Sequence, residues 1–162
     1  MPELDTLALL AEHAGIWEGE YTHIDPADRA VQQRLRFRIR VECPAGGVDY
    51  RQTSHYWFED GTEQELVYEG RMQGSRLVLV DGRLNGAIWR IEERTLYMRF
   101  AFTGTTDEVC EMIQLSRDGA RRARTWHWFR DEVPWRITLV REQRVSRDPG
   151  EWLHLMGTPP SR

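Results

Sequence analysis

Two stretches of the chain hold the side chains best suited to chemistry. In "RARTWHWFR" (residues 122–130), His127 stands between Trp126 and Trp128. An imidazole titrates near neutrality and can serve as a general acid or base. In "DEVCEMIQL" (107–115), Glu111 shares a strand face with Val109 and Ile113. A carboxyl on an apolar inward face has a raised pKa unless it is paired. Arg99, in "LYMRF", is the partner the sequence offers. His127 and Glu111 are therefore the candidate proton-transfer residues. Arg99 is also a candidate to hold a carboxylate or phosphate of a ligand.

A second set of residues suits binding rather than turnover. "YRQTSHYWF" puts Tyr50, Gln52, Ser54 and Tyr56 on one face of a strand. "GIWEGEYTHID" (15–25) adds Tyr21 and His23. Such amphipathic side chains suit a ligand with an aromatic body and a polar edge. Trp126 and Trp128 would join them if their face points inward. Period-2 alternation separates His127 from both tryptophans, so only one of the two arrangements can hold. Local pattern leaves the inward face open for residues 48–58 and 122–130.

Other chemistries find little support. There is no HxH, HExxH or tight Cys/His cluster, so no metal site is expected from His23, His55 and His127. No cofactor is expected either, haem included. The chain has no lysine, and all 22 basic residues are arginine. That excludes a lysine Schiff base and a P-loop lysine. No nucleophile elbow or dinucleotide fingerprint occurs. Cys43 and Cys110 form no CxxC and read as two thiols of a cytoplasmic chain.

The elements that must position these residues are mostly strands. Residues 3–14 place Leu4, Leu7, Leu10 and Ala11 at helical spacing, with Gly15 as the expected C-cap. After that the chain alternates. Residues 31–43 carry Leu35, Phe37, Ile39 and Val41 on one face and Arg34, Arg36, Arg38 and Arg40 on the other. Pairing of this strand with the first would set Glu18 and Glu20 beside the arginines. The charged face is then expected to meet solvent, with Trp17, Gly19, Tyr21 and His23 pointing inward. Nine or ten strands follow one another with short turn signals, as in a meandering barrel or sandwich.

Bulk properties agree with a single folded unit. At 162 residues the chain suits one domain. The expected division is a barrel over 3–145 and a C-terminal extension over 146–162, which has three prolines. A net charge of −4 argues against nonspecific nucleic-acid binding. No apolar run approaches the roughly 20 residues of a membrane-spanning helix. The N-terminus starts acidic and lacks a basic n-region, so a cytoplasmic location is expected.

A short N-terminal helix, Gly15-x-Trp17 at the head of the first strand, and arginines in "TLVREQRV" near the end of the last strand together resemble the calycin superfamily. That group contains the lipocalins and the fatty-acid-binding-protein-like barrels. "WEGEYTHID", "YRQTSHYWFEDGTEQELVYEG" and "REQRV" are most similar to uncharacterised bacterial and plant lipocalin-like domains, some related to phycobiliprotein lyases. The resemblance implies an all-β, single antiparallel barrel. It also implies closure of one end by Trp17 under Arg141 or Arg144, through cation–π stacking. The expected function is binding of a small hydrophobic molecule, aromatic or isoprenoid-like, inside the barrel. Two alternatives stand beside it: a cofactor-independent lyase, isomerase or cyclase in the same cavity, and a filled barrel serving as an interaction module. A small hydrophobic molecule is the expected partner, and a homodimer is compatible with the sequence.

Overall fold

The computed structural model describes residues 5–80 and 82–160. Glu3 and Leu4 of the expected helix, and Ser161 and Arg162 of the expected extension, lie outside the described residues. Helix α1 (Thr6–Glu12) is capped by the Asp5 carboxylate, which accepts from Ala8 N at 3.0 Å. Its C-cap is His13 in the right-handed region, not Gly15. Gly15 instead opens strand β1 with φ +129. A Cβ there would sit 2.4 Å from the Ser146 carbonyl oxygen, so the close approach of β1 to the end of the last strand requires glycine.

Ten antiparallel strands follow: β1 (Gly15–Ile24), β2 (Val31–Glu42), β3 (Tyr50–Trp57), β4 (Glu63–Gln73), β5 (Arg76–Leu79), β6 (Leu84–Arg90), β7 (Thr95–Phe102), β8 (Asp107–Leu115), β9 (Arg121–Arg130) and β10 (Val133–Ser146). Each pairs with its sequence neighbours, and β1 pairs with β10 to close the barrel. Closure removes the open edges that an aligned sheet would expose. The alternation of β2 is realised: Leu35, Phe37, Ile39 and Val41 are buried inside. Trp17, Tyr21 and His23 on β1 are buried on the same side. Gly19 leaves room there for the Phe37 ring, whose tip would lie 2.9 Å from an added Cβ.

One end of the barrel is plugged. Leu9 and Leu10 of α1 insert beneath the strands and are buried. The Thr6 hydroxyl donates to Ser75 O at 2.6 Å and accepts from Arg90 N at 3.0 Å, which ties the helix to two strand ends. The other end is formed by the β1–β2, β3–β4, β5–β6, β7–β8 and β9–β10 connections. The last of these is a two-residue hairpin, with Asp131 and Glu132 at φ 49 and 65.

The arginine row behaves differently from a solvated face. Glu18 opposes Arg38 and Glu20 opposes Arg36, as pairing of the two strands requires. Arg38 Nε donates to Glu18 Oε1 at 2.7 Å. Yet Arg38 is buried, because the chain after β10 climbs back over this wall. A 3-10 turn (Pro149–Glu151) and helix α2 (Trp152–Met156) bring Trp152 under the Arg40 guanidinium, 5.5 Å from the ring centroid. Arg38 donates to the Leu155 carbonyl and, at 2.9 Å, to the Thr158 carbonyl, and Arg36 donates to Pro160 O. The expectation that the whole row meets solvent is thus corrected. Backbone carbonyls of the tail replace water around Arg38, which is how a guanidinium tolerates burial.

Candidate ligand cavity

The barrel interior is not filled. It encloses about 290 Å³, open at the loop end. Its walls are mainly aromatic and aliphatic, and its polar groups fall into three sets.

The first set lies at the mouth. His23 Nδ1 is 2.7 Å from the Thr138 hydroxyl, which also accepts from Trp128 Nε1 at 2.9 Å. Thr138 is fully buried. Burial, and then the nearby Arg136 charge, lower the His23 pKa to about 4, so the ring is neutral at neutral pH.

The second set is a ladder along β3. Tyr50 OH donates to Gln52 Oε1 at 2.8 Å, and Gln52 Nε2 donates to Ser54 Oγ at 2.9 Å. Burial raises the Tyr50 and Tyr56 phenol pKa values, so both stay protonated and able to donate.

The third set is a buried ionic floor. Arg124 forms ion pairs with Glu142 Oε1 at 2.6 Å and Glu111 Oε1 at 3.2 Å, and donates to the Tyr21 hydroxyl at 2.5 Å. Arg122 pairs with the other Glu142 oxygen and lies over Trp17. Burial acts against the Arg124 charge, but Glu142, Tyr21 and Glu111 outweigh it and hold the guanidinium firmly protonated. Burial raises the Glu111 pKa more than Arg124 lowers it. Glu111 lines the cavity, and its second oxygen, Oε2, has no charged partner; the Trp126 indole acts on the carboxylate as a neighbouring donor. His13 beneath is held neutral, first by burial and then by Arg122.

Aromatic rings line the passage between mouth and floor. Phe102 stacks on Trp128 at 5.7 Å with planes 9° apart. Trp126 lies 5.6 Å from Trp128 and meets the edges of Tyr21 at 5.4 Å and Phe100 at 6.1 Å.

The residues singled out in the sequence fall on both sides of the wall. Tyr21, His23, Tyr50, Gln52, Tyr56, Glu111, Trp126 and Trp128 line the cavity. Ser54 is fully buried and fixes Gln52 from behind. His127 is exposed on the outer face, opposite in register to Cys110 and Ile137. With both tryptophans inside, period 2 forces it out. Arg99 is also outside, where it pairs with Glu108 at 3.2 Å, so Glu111 takes Arg124 as its partner instead. Arg144 covers Trp17, its guanidinium 4.5 Å from the ring centroid, and donates to the Glu12 and Ala14 carbonyls at the end of α1. Arg141 is exposed on the outer wall, opposite Glu20, and takes no part in this closure.

Sequence reasoning missed Arg122, Arg124 and Glu142. The available signal was register: 122, 124, 126 and 128 share one face, so placing the tryptophans inside places the arginines inside too. Arg136 at the rim was likewise unremarked. Among the described residues no group of three His, Cys, Asp or Glu is placed to hold a metal ion, and both cysteines are free thiols. No described helix is long and apolar enough to cross a membrane.

No protein-family model matches the chain, and no curated protein matches its sequence. Solved structures do resemble it. A protein of unknown function from the DUF3598 family of Nostoc punctiforme superposes with a TM-score of 0.66 at 17% identity, covering 90% of this chain. This chain spans 51% of that one, about half its length. The S-type phycobiliprotein lyase CPES from Guillardia theta gives a TM-score of 0.66 at 12% identity, covering 87% of this chain and 93% of its own. Rv2717c from M. tuberculosis gives 0.57 at 11% identity, covering 89% and 98%. Identities this low show a shared fold alone, a closed antiparallel barrel.

Proposed function

We propose that this protein binds a small, largely hydrophobic molecule with an aromatic body inside its barrel. The observation that carries the reading is the open interior of about 290 Å³, walled by Trp126, Trp128, Phe100, Phe102, Tyr21 and Tyr56. A barrel of this size either fills its interior with side chains or holds one small ligand. The empty volume counts against the filled interaction module. The β3 ladder and the Glu111 carboxylate offer a few fixed polar groups against an apolar lining, the usual make-up of a ligand site. One structural neighbour is a phycobiliprotein lyase, so a lyase is built on the same fold, and the fold decides nothing about the ligand here.

A second reading has one specific observation in its favour. Glu111 has a buried oxygen at the cavity wall with no charged partner and a raised pKa, and Arg124 beside it stabilises the anion. That is the equipment of a general acid or base for a non-redox lyase or isomerase. The first test is tryptophan fluorescence during titration with neutral aromatic and isoprenoid alcohols. Saturable quenching at micromolar concentration is expected, and its absence across the panel rejects the binding reading. For any molecule that is then chemically altered, Glu111→Gln should abolish turnover while leaving affinity nearly intact.

A further inference from the structure

The mouth of the barrel carries a cation without an ion pair of its own among the described residues: the carboxylate that acts on Arg136, Asp107, is bonded to Arg130 instead. Arg136 enters the rim on β10 just after Pro134, at a register shift, opposite Trp128 on β9. Its guanidinium lies 4.6 Å from the Trp135 ring centroid and 5.8 Å from that of Trp128. Its Nε donates to Gln32 Oε1 at 3.1 Å, a neutral acceptor. Arg130 covers the Trp135 ring as well, at 4.2 Å. That arginine is already neutralised, with Nε and Nη2 on the two Asp107 carboxylate oxygens at 2.7 and 2.8 Å. Among the described residues none forms an ion pair with Arg136. Trp135 Nε1 is buried in the same cluster and meets no acceptor. Arg136 is half-buried, and it is close enough to His23 on the cavity wall to act on its charge.

The floor makes a useful contrast. Both of its arginines are already held by Glu142, and Arg124 by Glu111 as well. An anion arriving there would have to displace a buried carboxylate. At the rim no carboxylate has to be displaced from Arg136, whose side-chain acceptor is the neutral Gln32. Stacking on the two indoles holds the guanidinium plane in place, which reduces the entropy lost when it pairs.

We infer that Arg136 anchors an anionic group carried on the outer end of the ligand, whose aromatic body lies against Trp128 and Trp126. This rests on the ligand-binding reading above and narrows it to aromatic acids.

Two fluorescent probes separate the two claims. 8-Anilinonaphthalene-1-sulfonate and N-phenyl-1-naphthylamine share a ring skeleton and differ by the sulfonate. Wild type should bind the sulfonate about tenfold more tightly than the neutral amine, as a charge-assisted pair would give. Arg136→Gln should lose that preference and keep its affinity for the neutral probe. Arg136→Lys should recover part of it, because charge returns without the planar fork. Added salt should narrow the wild-type preference, since the rim is accessible to ions. A sulfonate preference that survives Arg136→Gln, or an equal loss of both probes, overturns the anchor and leaves the cavity reading standing. Failure of both probes to bind wild type overturns the cavity reading and the anchor with it.

Discussion

Arg124 and Glu111 form a buried ion pair, 3.2 Å apart, between neighbouring strands β9 and β8. Neither residue is open to solvent, and Glu142 from β10 completes the set around the same guanidinium. A pair like this stabilises little by itself, but breaking it leaves a charge stranded in an apolar interior. Arg124→Met should therefore destabilise the protein by about 3–5 kcal/mol, because Glu111 and part of Glu142 lose their partner. Replacing Arg124 and Glu111 together by Met and Leu should cost less than Arg124→Met alone. Urea midpoints of the two variants check this. A double variant weaker than the single one counts against it.

The closed end depends on Trp17. It is fully buried, Arg122 and Arg144 cover its ring, and its Nε1 donates to His13 O at 2.8 Å. Trp17→Ala should cost about 3–5 kcal/mol, the range for deleting a large core aromatic. Arg144→Ala should cost less, and Arg141→Ala should leave the thermal midpoint essentially unchanged. Equal effects at 141 and 144 would contradict the assignment of the closure to Arg144.

His23 should make the acid limb of stability steeper. Its pKa is lowered from the usual 6.5 to about 4 in the folded protein. Between those values the unfolded chain holds a proton that the folded chain does not. Stability from this group is therefore complete above pH 6.5 and is lost as the pH falls toward 4. A shift of this size corresponds to roughly 3 kcal/mol at most. His13 is shifted in the same direction, so His23→Gln should flatten the slope only in part. Chemical denaturation at pH 4.5 and 7 measures it, and an unchanged slope in His23→Gln would remove the assignment.

The C-terminal segment should behave as part of the fold. Trp152 is buried against Arg40, and Arg38 donates to two carbonyls of this segment. Trp152→Ala should cost about 3 kcal/mol. It should also raise hydrogen exchange in the segment more than in the barrel. A Trp152 variant as stable as wild type would mean that the tail only rests on the wall.

His127 and Arg99 provide the opposite test. Both lie on the outer face, away from the cavity. His127→Ala and Arg99→Ala should alter neither probe binding nor the unfolding midpoint measurably. A loss of binding in either would place the site outside the barrel.

Much of the fold was legible because strand periodicity is a local property. On β2 one face is apolar from Leu35 to Val41 and the other charged from Arg34 to Glu42, so alternation alone told inside from outside, and with it the partners of Glu18 and Glu20. The terminal Trp17 and the arginines after Leu139 were legible for the same reason, as residue types at strand ends. The inward turn of β9 was not. Its two faces read Arg122, Arg124, Trp126, Trp128 and Arg121, Ala123, Thr125, His127, and by composition neither is clearly apolar. A buried arginine needs acceptors for its guanidinium, and for Arg122 and Arg124 these are carboxylates from β8 and β10, at residues 111 and 142. That compensation is non-local, so no window of sequence displays it. The same holds for Arg38, which pattern assigns to solvent and the returning tail covers. The sequence by itself determined the strands, their alternation and a barrel-like order. Only closure of the sheet, which brings β8, β9 and β10 charges to one buried point, decided which chemistry faces the cavity.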